Sequence, residues 1–144
     1  MNAIAPQPDV QAVIQQLLTE HNALTLATTG GEFSPWVLGV YFAAEGLTPY
    51  LVLEQAGKTM QNVKKDPRVA LLISSNDASK DFVQASARLT LLPDSELPRV
   101  MGLLTAKMPW FKTYTPTTAV RLDVTRWHVS SLSRGWFPAR VLTP

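Results

Sequence analysis

A chain of 144 residues with no cysteine and a net charge of +2 is long enough to build one hydrophobic core without disulfides, and it offers no thiolate for a zinc site. Its 13 lysines and arginines are dispersed, with one concentration at 58–68, which argues against the clustered basic stripe of a nucleic-acid-binding protein. No basic residue precedes an apolar run at the N-terminus and no stretch reaches the length of a bilayer span, so the expectation is a single soluble, cytoplasmic domain over 1–144 without a membrane partner.

Residues 1–7 read as a flexible arm. From Pro8-Asp9 a helix is predicted, with Asp9 as N-cap and Val10, Val13, Ile14, Leu17 and Leu18 on one face, ending at His21-Asn22. Ala23 to Thr28 is a strand with Leu24 and Leu26 on a common face, and Thr29-Gly30-Gly31-Glu32 supplies a hairpin turn. Trp36 to Phe42 is an apolar, β-branched and aromatic run. Ala44-Glu45-Gly46-Leu47-Thr48-Pro49 breaks it with turn residues, and Tyr50 to Glu54 resumes an extended pattern. In Lys58 to Lys65 the apolar Met60 and Val63 stand three apart, as on one helical turn. Pro67 stops that helix, because the residue before a proline is pushed out of the helical region.

Val69 to Ile73 is a continuous apolar strand, and residues 74–81 are a polar loop. Phe82 to Leu92 alternates strictly, with Val83, Ala85, Ala87, Leu89 and Leu91 on one side and Gln84, Ser86, Arg88 and Thr90 on the other. Pro93-Asp94-Ser95 opens a second large helix whose apolar side carries Leu97, Val100, Met101, Leu104 and Met108, and Pro109 ends it. An aromatic loop, Trp110 to Tyr114, leads to a strand over Ala119 to Val129. Residues 131–144 form a C-terminal tail whose Trp136-Phe137-Pro138 needs a partner surface. Many strands with short turns and few helices predict a mainly β fold, a small barrel with peripheral helices.

Catalytic sets are scarce. His21 and His128 have no metal-ligand spacing, no serine lies in a G-x-S-x-G elbow, and no metal is expected. The one stretch with ligand chemistry is Gly57-Lys58-Thr59 at a helix start, which combines positive charge, a hydroxyl and the positive end of a helix dipole, as a phosphate requires. It is not a P-loop, since Val52 stands where the upstream glycine would be. The competing reading makes Lys58, Lys64, Lys65 and Arg68 a solvated helix face.

The order of parts, from Leu24–Ala27 through Ser34-Pro35-Trp36-Val37 and Gly57-Lys58-Thr59 to Asn62-Val63-Lys64-Lys65-Asp66-Pro67-Arg68-Val69-Ala70-Leu71-Leu72, resembles the pyridoxamine 5′-phosphate oxidase-like family of FMN-binding split barrels over residues 10–130. That resemblance implies a six-stranded split β-barrel that binds FMN and acts as a flavin-dependent oxidoreductase on a small substrate. The alternative it leaves open is a non-catalytic protein holding flavin, haem or a deazaflavin. It implies a flavin ring along Trp36, Val37, Leu38 and Gly39, with Val52 and Leu53 as the neighbouring wall. Lys58 and Thr59 would sit at the phosphate, and Asn62 would match the short helix's recurrent asparagine. Glu54 sets a carboxylate beside that phosphate, to be turned away or paired with Lys58. The resemblance further implies a homodimer with cofactor sites at the subunit interface, where Trp110, Phe111, Tyr114, Trp136 and Phe137 are candidates to line the cleft. Flavin chemistry suits the scarcity of catalytic side chains, because the cofactor carries the electrons.

Overall fold

Period-two patterning builds most of the molecule. The computed structural model describes residues 8–144, so the arm expected at 1–7 lies outside the described residues. The elements are α1 (Pro8–Glu20), β1 (Ala23–Thr28), β2 (Trp36–Tyr41), β3 (Ala43–Glu45), β4 (Thr48–Glu54), α2 (Lys58–Lys65), β5 (Arg68–Ile73), β6 (Phe82–Leu91), α3 (Leu97–Lys107), β7 (Thr117–Ser131) and β8 (Trp136–Leu142). In β6, Val83, Ala85, Ala87 and Leu89 are buried while Gln84, Ser86 and Arg88 face out, as the alternation requires.

All eight strands belong to one antiparallel sheet in the order β2-β1-β5-β6-β7-β4-β3, with β8 added to β7. Phe42 alone separates β2 from β3, yet these strands stand at opposite ends of that order. The sheet therefore curls until its ends meet at Phe42, giving the split barrel: joined through the chain at that corner, and without ladder bonds between β2 and β4. A bulge assists the curl, since the β6–β7 register shifts at Ser86/Ala87 and bulges sharpen local twist. The Thr125 hydroxyl donates to the Ser86 carbonyl there, at 3.1 Å. The barrel strands expected from the family are β1, β2, β4, β5, β6 and β7.

Two elements exceed the sequence reading. The turn expected over 44–49 is a hairpin, in which Gly46 at φ +57° turns the chain between β3 and β4 and lets Ala44 pair with Pro49. The tail returns as β8, because Trp136 is buried in the core cluster, with the Arg134 and Arg140 guanidinium groups 5.5 and 5.1 Å from its ring. Pro138 is tolerated because β8 pairs on one side only.

The barrel interior and the α1 residues Val10, Val13, Ile14, Leu17 and Leu18 form one core with Met60 and Val63 of α2. A second cluster packs Val100 and Leu104 of α3, with Met108 just after it, on Tyr50, Val52 and Ala119, outside β4 and β7. Lys107 joins the two layers. Its ammonium donates to the carbonyls of Leu18 (3.0 Å), Phe42 (3.3 Å) and His21, and lies 4.0 Å from the Phe42 ring centroid. A cation at the end of α1 is favoured by the helix dipole, while burial pushes its pKa down to about 8.

Asp66 closes α2 and grips the start of β5. Its carboxylate accepts from the Arg68 side chain at 3.0 and 2.7 Å and from the Arg68 backbone N–H at 3.0 Å. The Arg68 side-chain bonds, then the backbone bond, hold this carboxyl well below its ordinary 3.8. A carboxylate depressed in the folded state stabilises fully above its unfolded value and loses that contribution as the pH falls below it. Between about pH 5.5 and about pH 3 the urea midpoint is therefore expected to fall further for the wild type than for Asp66→Asn. Equal falls would remove Asp66 from the acid response.

Candidate functional site

The split between β2 and β4 is a cleft of about 760 Å³, within the usual range for small-molecule sites. Along one side run Trp36 and Leu38 to Tyr41 of β2. Along the other run Val52, Leu53 and Glu54 of β4, followed by Ala56, Gly57, Lys58 and Thr59, and Phe111 and Ala23 complete the lining. Of the residues singled out from sequence, Trp36, Leu38, Gly39, Val52, Leu53, Lys58 and Thr59 meet here. Val37 and Asn62 do not.

Alternation explains Val37. Its side chain lies on the outward face of β2, 66% exposed. Asn62 is wholly buried; its Nδ2 donates to the Thr28 hydroxyl at 3.0 Å, and its Oδ1 is buried without a partner. The Gly30-Gly31 turn passes directly over it. A Cβ on Gly31 would stand 1.8 Å from Asn62 Oδ1, and one on Gly30 would stand 2.7 Å from the Asp66 Cβ. The asparagine thus fixes the loop that leads into β2, instead of facing the cleft.

At one end of the cleft, Gly57 caps α2 in an extended conformation with no side-chain cap. The first-turn N–H groups of a helix have no intrahelical acceptor, so this start faces the cleft with donors and with the positive end of the dipole. Among the described residues Lys58 is the one cation in the lining. Its ammonium lies 5.0 Å from the Phe33 ring centroid and 5.8 Å from that of Trp36, and these two rings are 5.9 Å apart. Among the described residues no ion pair joins Lys58 to Glu54. Cation–π contact, not the carboxylate, holds the lysine. The Thr59 side chain is buried beside it.

The middle of the cleft is apolar, lined by Leu38, Val40, Val52 and Leu53. A Cβ on Gly39 would meet nothing within 4 Å, on the side of β2 that Val37 faces. The far end is aromatic, with Tyr41 edge-on to Trp110 at 5.0 Å and to Phe111 at 6.1 Å. Sequence reading named Phe111 but missed Tyr41. Tyr41 shares the alternation of the outward Val37, so the strand pattern alone carried no signal for it; its contacts with Trp110 and Phe111 bring it to the cleft. Tyr114 is 83% exposed and Trp136 is buried; of the five aromatics named for the interface, only Phe111 lines the cleft of its own chain.

No helix of the described residues is long and apolar enough to cross a membrane. Comparison with curated proteins gives no match. Among solved structures, a heme binding protein from Mycobacterium smegmatis is similar at 20% identity and TM-score 0.76, covering 96% of this chain and 60% of that one. The General Stress Protein 26 from Bacillus anthracis is similar at 13% identity and TM-score 0.72, covering 94% and 98%. A FAD-binding protein from Mesorhizobium loti is similar at 18% identity and TM-score 0.64, covering 81% and 90%. At these identities the likeness is one of fold. The family model described as pyridoxamine 5′-phosphate oxidase matches residues 10–130, from α1 to the end of β7, and the chain belongs to that family.

Proposed function

We propose that the cleft binds FMN and that the protein is a flavin-dependent oxidoreductase. The observation that carries this reading is the pairing of an uncapped helix start and Lys58 at one end of a largely apolar trough. A phosphate suits the first and a planar ring suits the second. Lys58 and the Thr59 N–H or hydroxyl hold the phosphate, the backbone of Trp36 to Gly39 supports the ring, and Val52 and Leu53 pack against it. FMN would supply hydride or electron transfer; the chain supplies binding, orientation and exclusion of water. Asn62 acts at one remove, through the 30–31 turn.

The family fold is shared with proteins named for FAD and for heme. Among the described residues the lining includes no histidine, cysteine or methionine, side chains that hold haem iron in many proteins, which favours the flavin. Membership of the family supports a homodimer with the cleft at the subunit interface, and we place the protein in the cytoplasm. The visible absorption spectrum of the purified protein, with and without added FMN, is the direct test. Bound flavin bands are expected after gel filtration of the mixture. A featureless spectrum with all the FMN in the small-molecule fraction overturns the reading. Oxidation of NADH or NADPH by the loaded protein then separates an enzyme from a carrier, since a carrier binds without turnover.

A further inference from the structure

We infer that Lys107 is a positioning residue for the cleft: its ammonium straps the Phe42 corner, where the two walls join, to the end of α1, and slackens its hold on that corner when it gives up a proton. The inference rests on the flavin reading only for what the walls then hold. Every atom of the strap belongs to one chain, and Lys107 is outside the cleft lining.

Phe42 is the single residue between β2, one wall, and β3, which is laddered to β4, the other wall. It is fully buried, and its N–H donates to the Asn22 carbonyl at 3.0 Å. Its carbonyl accepts from Lys107. The other two acceptors are the Leu18 and His21 carbonyls, at the end of α1, where backbone oxygens lack an intrahelical donor. An ammonium carries three hydrogens, one for each of these oxygens, and a neutral amine carries two. The Phe42 bond, 3.3 Å against 3.0 Å for Leu18, is the longest of the set and the first to be lost. The contact with the Phe42 ring depends on the positive charge and goes with it. Proton loss therefore falls on the corner and leaves the α1 bonds in place.

No carboxylate holds this charge. The elements packed here bring Glu20 and His21 from α1, Tyr41 and Glu45 from beside the corner, Tyr50 from β4, Arg99 from α3 and Lys112 after it. Glu20 accepts from Gln16, Arg99 holds Glu45 and Tyr50, Lys112 stands over the Tyr114 ring, and Arg121 and Asp123 of β7 hold each other. Among the described residues none of these side chains bonds the Lys107 ammonium, and burial alone brings its pKa to about 8. Between that value and the unfolded one, about 10.4, the unfolded state binds more protons, so stability rises as the proton leaves. The corner slackens without the fold weakening.

Carbonyl carbon NMR shifts of the labelled, flavin-free protein, followed from about pH 7 to about pH 9.5, test this. The Phe42 carbonyl is expected to move with one midpoint near 8, and further than those of Leu18 and His21. It is expected to stay still in Lys107→Arg, which remains charged throughout, and to titrate as before in His21→Gln, which keeps the backbone carbonyl. FMN affinity is expected to fall about three-fold over the same range in the wild type and not in Lys107→Arg. Lys107→Met is expected to bind FMN at the low end of the range as weakly as the wild type does at the high end. A Phe42 carbonyl that does not titrate, or an equal fall in FMN affinity in wild type and Lys107→Arg, overturns the inference. FMN unbound at every pH sinks the flavin reading instead, and the carbonyl titration still decides the strap.

Discussion

Replacing Gly31 with alanine is expected to cost about 3 kcal/mol of stability, lowering the melting temperature by roughly 6–12 °C for a chain of this size. The added methyl would sit 1.8 Å from Asn62 Oδ1 and 3.2 Å from the Asn62 Cα. Asn62 has no exposed surface, so it can move only by breaking its bond to Thr28, itself buried. An unpaired buried amide and hydroxyl add their desolvation cost to the overpacking. The same substitution made in an Asn62→Ala background is expected to cost much less, because the obstructing amide is gone; such non-additivity marks residues in contact. Thermal melts of the four proteins check this. Equal costs in both backgrounds would put the strain elsewhere.

Lys58→Ala is expected to weaken FMN by about 1–3 kcal/mol, the usual loss for a hydrogen bond to a charged group. Riboflavin, which lacks the phosphate, separates causes: its affinity is expected to be the same in both proteins. The variant's melting temperature is expected to stay near the wild-type value, since the lysine is exposed and its neighbours are the Phe33 and Trp36 rings. Titration of tryptophan fluorescence with each flavin measures both affinities. Unchanged FMN affinity would leave Lys58 as a rim residue in contact with two aromatics.

The strands that alternate were legible, as β1 and β6 show, and so was β5 as a continuous apolar run. So was α2, where Met60 and Val63 point inward. The β3–β4 hairpin was hidden because Gly46 and Pro49 weigh as turn residues, although only Gly46 needs a left-handed conformation and Pro49 can sit in a strand beside the three-residue β3. β8 was hidden for the related reason that Phe137-Pro138 looks like a breaker, while the buried Trp136 that anchors it has partners only in three dimensions. At the cleft, the chemistry of Lys58 and Thr59 could be read from type and spacing. The side-chain face of Val37 followed from the same alternation that buries Leu38, and assigning the whole run to the ring overlooked it. The burial of Asn62 under two glycines more than thirty residues earlier depends on tertiary approach, which no local pattern carries.

The ladder between β4 and β7 sets when the cleft comes into being. Tyr50 pairs with Arg121, so one wall waits for a partner about 70 residues downstream, roughly 4–14 s of synthesis at ~5–20 residues per second. Until then β1, β2, β5 and β6 can assemble on the ribosome, but the trough has only one bank. On the flavin reading, the cofactor is therefore loaded only once β7 has joined β4, and not onto a shorter nascent chain.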